Sequence, residues 1–329
     1  MKVFTLKEIK AVLPGIDLIP LIEEGFAAYS QGRAVVPPVG ELILKDPPGD
    51  VHIKYGYIEG EDYFVIKIAS GFLDNQKLDL PSGNGMMLLF RQETGEPVCL
   101  LYDEVYLTDI RTAVAGAIVA KYLAPQNVER IGIVGTGNQA RLQLAYLKGV
   151  VDCRHVLVWG RSEEKKQLYS REMAQKGFTV EACNEISELA EASNLVITTT
   201  SATAPLLTAD LITPGTHITA MGSDTVGKRE LDGVILGQAD LVVADSISQC
   251  RERGEIAWAL REGDIQEDDL VELGDVLSGS HAGRQSDDQT TVADLTGVAV
   301  QDIQIARAVY EALHNKPDER AKNPSPLSS

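Results

Sequence analysis

Long apolar runs, aromatic residues, basic charge and paired cysteines are all scarce in this chain of 329 residues. No apolar stretch reaches the ~20 residues that a helix needs to cross a bilayer. The first residues, Met1-Lys2-Val3-Phe4-Thr5-Leu6-Lys7-Glu8, lack the apolar segment and cleavage site of an export signal, so a cytoplasmic protein is expected. Lys and Arg number 30 against 48 Asp and Glu, a net charge of −18. That balance argues against nucleic acid or an anionic membrane as partner. The four cysteines, Cys99, Cys153, Cys183 and Cys250, stand alone, without Cys-x-x-Cys or Cys/His ligand spacing. Buried, reduced thiols are expected, and neither a metal nor a disulfide is implied. Aromatic residues make up only 5%, yet the apolar share of 44% suffices for a sizeable core and suggests two domains.

What the chain does have is one run of high information, Ile131-Gly132-Ile133-Val134-Gly135-Thr136-Gly137-Asn138-Gln139-Ala140. A short apolar strand enters G-x-G-x-x-A and continues into a helix, which is the order a dinucleotide pyrophosphate needs. Gly135 permits the tight turn, Gly137 lets backbone approach phosphate, and Ala140 allows close helix–strand packing. The helix start offers free N–H groups and the positive end of its dipole. A second strand at 156–159 follows at βαβ spacing. Where a ribose-binding Asp or Glu would mark NAD, this chain has Trp159-Gly160-Arg161-Ser162-Glu163-Glu164-Lys165-Lys166. Arg161 can stack on adenine and, with Ser162 and Lys165, hold a 2′-phosphate. The plainer reading makes Ser162 a helix N-cap with acids in the first turn; both can hold at once. NADP(H) is favoured and NAD(H) stays open.

Residues 1–105 mix helix and strand: a helix at 17–30, strands at 40–44, 51–58 and 63–69, and a hairpin of 86–90 with 97–102 turned at Glu93-Thr94-Gly95-Glu96. An Ala-rich helix over 107–122, stopped near Pro125, connects to a second part of alternating strands and helices. Its strands at 130–134, 156–159, 195–199, 217–221 and 241–244 are continuous β-branched runs, which suit a parallel sheet covered on both faces. A closing helix over 300–313 crosses back to the first part, and the polar tail from Asn315 to Ser329 is expected to be disordered. No internal repeat is present. The expected fold is α/β: a Rossmann-type doubly wound parallel sheet over 121–303, plus a discontinuous α+β domain of 1–120 to which 304–329 returns.

Ligands of such a sheet sit beyond the carboxyl ends of its strands. That rim carries Thr200-Ser201-Ala202, Met221-Gly222-Ser223-Asp224 and Asp245-Ser246. Asp224 is either a turn or capping aspartate or a carboxylate that exchanges protons with a substrate nitrogen. In the first part, Lys67 interrupts the strand Phe64-Val65-Ile66-Lys67-Ile68-Ala69, and Arg111 opens the face of the connecting helix. An Arg fork recognises carboxylate bidentately and Lys adds a point charge suited also to acid–base work. The plainer reading of each is a snorkelling surface side chain. His52 and Lys54 alternate on a neighbouring strand and share a face.

The ordered motifs resemble those of the ornithine cyclodeaminase/mu-crystallin family over nearly the whole chain. They run from Thr108-Asp109-Ile110-Arg111-Thr112-Ala113-Val114-Ala115 through the glycine motif to Gly215-Thr216-His217-Ile218 and Arg229-Glu230-Leu231-Asp232. Glu272-Leu273-Gly274-Asp275-Val276 and Thr290-Thr291-Val292 complete them. The resemblance implies a homodimer, a Rossmann domain and a substrate and dimerisation domain. It also implies Lys67 and Arg111 as the carboxylate-binding pair, with Lys67 also catalytic, and Asp224 as the acid that handles substrate nitrogen. Asn138, Gln139, Asp294 and Leu295 join the glycines and the rim residues as expected cofactor contacts. Three departures stand out: Pro38-Val39-Gly40 replaces Pro-x-Arg, Lys54-Tyr55 replaces Met-Pro, and Ala293-Asp294-Leu295-Thr296-Gly297 replaces the late Phe-Lys-Ser motif. The charge contact is thereby moved from loop to strand.

The expected activity is an NAD(P)H-dependent oxidoreductase that interconverts a small α-imino acid and an α-amino acid. With His52 and Lys54 as extra cations, an iminosuccinate-like dicarboxylate comes first, then alanine dehydrogenase or cyclic ketimine reductase. Two other classes remain: NAD-dependent ornithine cyclodeamination, which shows no net redox change, and a crystallin-like binding protein, against which the presence of Asp224 speaks.

Overall fold

The computed structural model describes residues 1–315; the tail expected to be disordered lies, from residue 316 on, outside the described residues. Residues 2–102 form a seven-stranded sheet. Pro48–Ile58, Tyr63–Gly71, Gly83–Arg91 and Pro97–Tyr102 make an antiparallel meander. Gly40–Lys45 and Ala34–Val35 both pair with Pro48–Ile58, and Lys2–Thr5 closes the far edge in parallel with Pro97–Tyr102. The strands and hairpin expected from apolar patterning are all present. Lys2–Thr5 was not expected, because its mostly exposed residues carry no apolar alternation.

Alternation along these strands decides what each side faces. Lys54 lies opposite Lys67 and Gly56 opposite Val65, whereas Tyr55 lies opposite Ile66 and Tyr57 opposite Phe64. Val65, Met87, Leu89 and Leu101 on the inner side are buried against the helices Leu18–Ser30, Tyr106–Leu123 and Ala299–His314. Lys54 and Lys67 are buried on that same side. The outer side is apolar and open. Tyr55, Tyr57, Phe64 and Ile66, with Val35, Pro37 and Gln92, line a groove of about 580 Å³ there. Helix Leu18–Ser30 meets Ala299–His314 at Gly25, where a Cβ would lie 2.9 Å from Gln304 Cγ and 3.2 Å from the Val300 carbonyl oxygen.

The second sheet has eight parallel strands, in the order Thr179–Ala182, His155–Trp159, Ile131–Val134, Leu195–Thr198, His217–Ala220, Thr291–Asp294, Leu241–Ala244, Leu270–Glu272. Its central strands are buried along their whole length, as the β-branched runs require. The order reverses between Ile131–Val134 and Leu195–Thr198, and the crevice at such a switch point is where ligands bind. Thr291–Asp294 inserts between His217–Ala220 and Leu241–Ala244. Four residues bounded by Thr and Asp give too little apolar signal to mark a central strand. The chain then turns at Gly297 (φ +84°) into Ala299–His314, which lies on the first sheet. The architecture is α/β, a Rossmann-type sheet joined to a mixed sheet with its own helices. Cys99, Cys183 and Cys250 are buried free thiols and Cys153 is half-buried. Among the described residues no helix is long and apolar enough to cross a membrane.

Candidate active site

Strand Ile131–Val134 delivers the glycine loop to the crevice. Gly135 has φ +120°, and a Cβ there would lie 2.6 Å from Thr199 Oγ1, so only glycine fits. Gly137 is the N-cap of helix Asn138–Leu147 and has open space where a Cβ would stand. Arg141 braces the loop from beneath, donating to the carbonyls of Thr136 and Gly137 while its Nε bonds Glu172 at 2.6 Å. Ala140 is fully buried, as close packing demands, and its carbonyl accepts from Tyr169 at 3.0 Å.

Above the loop lies a cleft of about 490 Å³, lined by Gly135, Thr136, Gly137, Trp159, Gly160, Arg161, Ser162, Lys165, Thr199, Thr200, Ser201, Ala202 and Leu206. The cleft, the glycine cradle and a helix start with free N–H groups fit a dinucleotide. Ser162 caps the helix Glu163–Gln175, accepting from Lys165 N at 3.3 Å, and also lines the cleft. The Asn138 and Gln139 side chains are placed differently, since both donate to Asp109, at 2.7 and 3.1 Å. Asp294 and Leu295 lie beneath the rim. The buried Asp294 carboxylate accepts from Ile256 N at 2.8 Å, and Leu295 joins the core.

Buried carboxylates shape that rim. Glu230 accepts from Thr198 Oγ1 at 2.7 Å, Thr200 N at 2.6 Å and Gly222 N at 2.9 Å. It thereby ties the loop of Thr200-Ser201-Ala202 to the loop of Gly222, Ser223 and Asp224, next to the buried Met221. Glu255 holds the Glu230 and Leu231 amides, and Asp245 holds Gly297 N and Thr296 Oγ1. Burial lifts Glu230 to about 7, against the hydrogen bonds of Thr198 and Thr200, and raises Glu255, Asp245 and Asp294 too.

Facing the rim, the first sheet supplies Lys54 and Lys67, the connecting helix Tyr106–Leu123 supplies Arg111, and the returning helix supplies Asp302. Lys67, 2% exposed, lies 3.2 Å from Asp302 Oδ2, and Arg111 Nε lies 3.1 Å from Asp302 Oδ1. Arg111 Nη1 also donates to Gln301 Oε1 at 3.1 Å. Lys54 Nζ donates to two carbonyl oxygens, Thr296 at 3.0 Å and Gly297 at 2.6 Å. Lys54 and Arg111 converge on Gly297, where a Cβ would lie 2.7 Å from Arg111 Nη1 and 3.1 Å from Lys54 Nζ, while Lys67 joins Arg111 through Asp302. Lys67 and Arg111 thus share the carboxylate of Asp302, which Lys54 feels only through space, and Asp103 and Asp224 also act on the two lysines at longer range. Burial, reinforced by Lys67 and Arg111, lowers Lys54 to about 7. Burial and Arg111 bring Lys67 to about 8 against the pull of Asp302. Desolvation works to raise Asp302, but Lys67, Arg111 and Lys54 outweigh it and hold it below the usual carboxylate range.

His52 sits two residues along from Lys54, 3.5 Å from both Glu41 and Asp50, and Glu41 also takes Arg253 at 2.7 Å. Burial lowers His52 below its ordinary value. Asp224, its side chain 54% exposed, pairs with Lys228 at 2.6 Å. Desolvation would raise the Asp224 carboxyl, but Lys228, with Lys54 and His52 behind it, holds it below the usual range. The structure therefore brings Lys54, Lys67 and Arg111 into one cluster, with His52 at its edge and Asp224 within electrostatic reach. Sequence reasoning missed Asp302, Gln301 and Lys228. Asp302 carried a signal of the kind that singled out Lys67, an ionisable residue on the apolar face with Ala299, Ile303 and Ala306.

A dinucleotide cleft beside a buried cation cluster defines an NAD(P)-dependent oxidoreductase acting on imine and amine carbons. The chain belongs to the ornithine cyclodeaminase/mu-crystallin family, whose sequence model matches residues 2–317. It is 40% identical to a protein of Sinorhizobium fredii named as an uncharacterised cyclodeaminase, over 94% of this chain and 95% of the relative. It is 32% identical to the iminosuccinate reductase of Paracoccus denitrificans, over 96% and 98%. Among solved structures, an archaeal alanine dehydrogenase dimer with bound NAD superposes with a TM-score of 0.88 at 31% identity, covering 96% of this chain and 97% of that one.

Glu230 supplies a test of the buried rim. Its folded-state value of about 7 exceeds the ordinary 4.5, so protonation favours the folded protein. Its contribution is full below about 4.5 and is lost as pH rises through about 7. The melting temperature is expected to fall between pH 5 and 7, less steeply in Glu230→Gln; equal slopes in scanning calorimetry would refute this origin.

Proposed function

We propose that this chain is an NADP(H)-preferring reductase of small α-imino acids that carry a second carboxylate, with an iminosuccinate-like compound as first choice. Alanine dehydrogenase or cyclic ketimine reductase activity comes next. The observation that carries the reading is the buried cluster of Lys54, Lys67 and Arg111, in which Lys67 and Arg111 share the Asp302 carboxylate and Lys54 rests on the Thr296 and Gly297 carbonyls. Residual positive charge in a desolvated site favours anionic substrate groups.

Lys67 and Arg111 clamp the α-carboxylate, which places the α-carbon and supplies most of the barrier reduction. Lys54, with His52 beyond it, receives the second carboxylate. A bound nicotinamide dinucleotide supplies the hydride that converts the C=N carbon to CH–NH. Asp224, held ionised, stabilises the positive iminium nitrogen and takes its proton in the reverse direction. The same cluster argues against cyclodeamination, since a diamino acid would bring its second ammonium against Lys54. Residues 1–120 with the returning helix form the substrate and dimerisation unit, and 121–303 the dinucleotide unit.

Oxaloacetate plus ammonia is expected to oxidise NADPH faster than pyruvate plus ammonia, and NADPH to bind more tightly than NADH. Arg161→Ala should erase a cofactor preference of roughly tenfold, or about 1.4 kcal/mol. Equal affinities in the parent would end the NADP(H) assignment, and conversion of ornithine with catalytic NAD+ and no net absorbance change would move the protein to the lyase class.

The roles of the two sides of the site separate by mutation. Arg111→Ala should weaken substrate binding and turnover by roughly 2–5 kcal/mol, the cost of removing one arm of a desolvated charge pair. Asp224→Asn should spare NADPH binding and chiefly lower kcat. A lower melting temperature with turnover intact would make Asp224 a turn residue instead.

The apolar outer face of the first sheet, where Val35, Tyr55 and Tyr57 are exposed together, is the dimer surface in this reading. Tyr57→Asp should convert a dimer to a monomer in light scattering; an unchanged mass would place the interface elsewhere.

A further inference from the structure

We propose that Asp109 is a positioning residue, a strut that locks the carboxylate clamp to the dinucleotide helix. It stands two residues before Arg111 on the helix Tyr106–Leu123. Its Oδ2 accepts from Asn138 Nδ2 at 2.7 Å, its Oδ1 from Gln139 Nε2 at 3.1 Å, and its carbonyl oxygen from the same Gln139 amide at 3.2 Å. Those two amides belong to the first residues of the helix that follows the glycine loop. One turn further along, Gln143 Nε2 donates to the Thr112 carbonyl at 3.1 Å. The two helices are therefore joined by directional bonds at the height of both sites.

The charge at this place is what calls for a functional account. A carboxylate at the start of a helix suited to pyrophosphate repels the anion that the helix binds. Apolar side chains would pack the two helices without that cost. Asp109 takes only side-chain amides from Asn138 and Gln139, which leaves the backbone N–H groups of the helix start free for phosphate. What the carboxylate adds is fixed spacing: displacement of the dinucleotide helix moves Arg111, and ordering one site orders the other.

The inference rests on Arg111 as the carboxylate-binding arginine, and the test separates the two. NADPH affinity is measured by its own fluorescence, with and without succinate, an unreactive dicarboxylate, in the full-length protein. In the parent, succinate should tighten NADPH binding about fivefold or more. Asp109→Ala should reduce that factor to within about twofold of unity, and Asp109→Asn, which keeps one acceptor, should fall between. The double variant Asn138→Ala/Gln139→Ala should match Asp109→Ala, and the combination should add nothing further, as expected for one shared contact. A merely structural role would lower the melting temperature and leave the coupling factor unchanged. Coupling of parental size in Asp109→Ala overturns the strut alone. Succinate that fails to bind the parent overturns the carboxylate clamp, and the strut with it.

Discussion

The carboxylate of Asp302 lies between Lys67 and Arg111, and the rest of the site depends on that position. Taking three cations out of water costs several kcal/mol each unless partners compensate. One aspartate offsets part of this and orients the Arg111 fork, leaving Lys54 on backbone carbonyls, where burial lowers it to about 7. Asp302 is carried by a helix that follows the last central strand of the parallel sheet but packs on the other sheet. The crossing of the chain back to its first half is therefore a requirement of the chemistry as well as of the core. Gly297 makes the crossing and also leaves the space into which Arg111 and Lys54 point.

The rim of the parallel sheet solves a different problem. Glu230, Glu255, Asp245 and Asp294 are buried and hold backbone amides from successive loops. A buried carboxylate that accepts main-chain N–H groups from two segments fixes their spacing more tightly than apolar packing does. Loops that must remain open to a large ligand gain rigidity from beneath instead of from above. Asp224 rides on one of these stapled loops, so its placement follows from Glu230 even though its own side chain is largely in solvent.

The first sheet divides its labour by the two-residue period of a strand. Tyr55 and Tyr57 turn to the outer groove while Lys54 turns to the site, and Phe64 and Ile66 oppose Lys67 in the same way. A slip of one residue would put lysines in the outer apolar face and aromatics in the cation cluster, so register is set by both faces at once.

Local pattern was enough for five of the eight Rossmann strands, the glycine loop, the Ala-rich connecting helix, and the singling out of Lys67 and Arg111. Each of those signals lies within a few residues: periodicity, a turn that demands glycine, or a charge where an apolar residue belongs. The strands Lys2–Thr5, Thr179–Ala182, Leu270–Glu272 and Thr291–Asp294 escaped because neighbours in space, not their own sequence, make them strands. Only tertiary structure decided that Asp302 partners Lys67 and Arg111 from 235 and 191 positions away, that Asn138 and Gln139 turn to Asp109, and that Asp294 lies beneath the rim. Hydrogen bonds and ion pairs act over a few ångströms, and a sequence records none of the distances between residues that folding brings together.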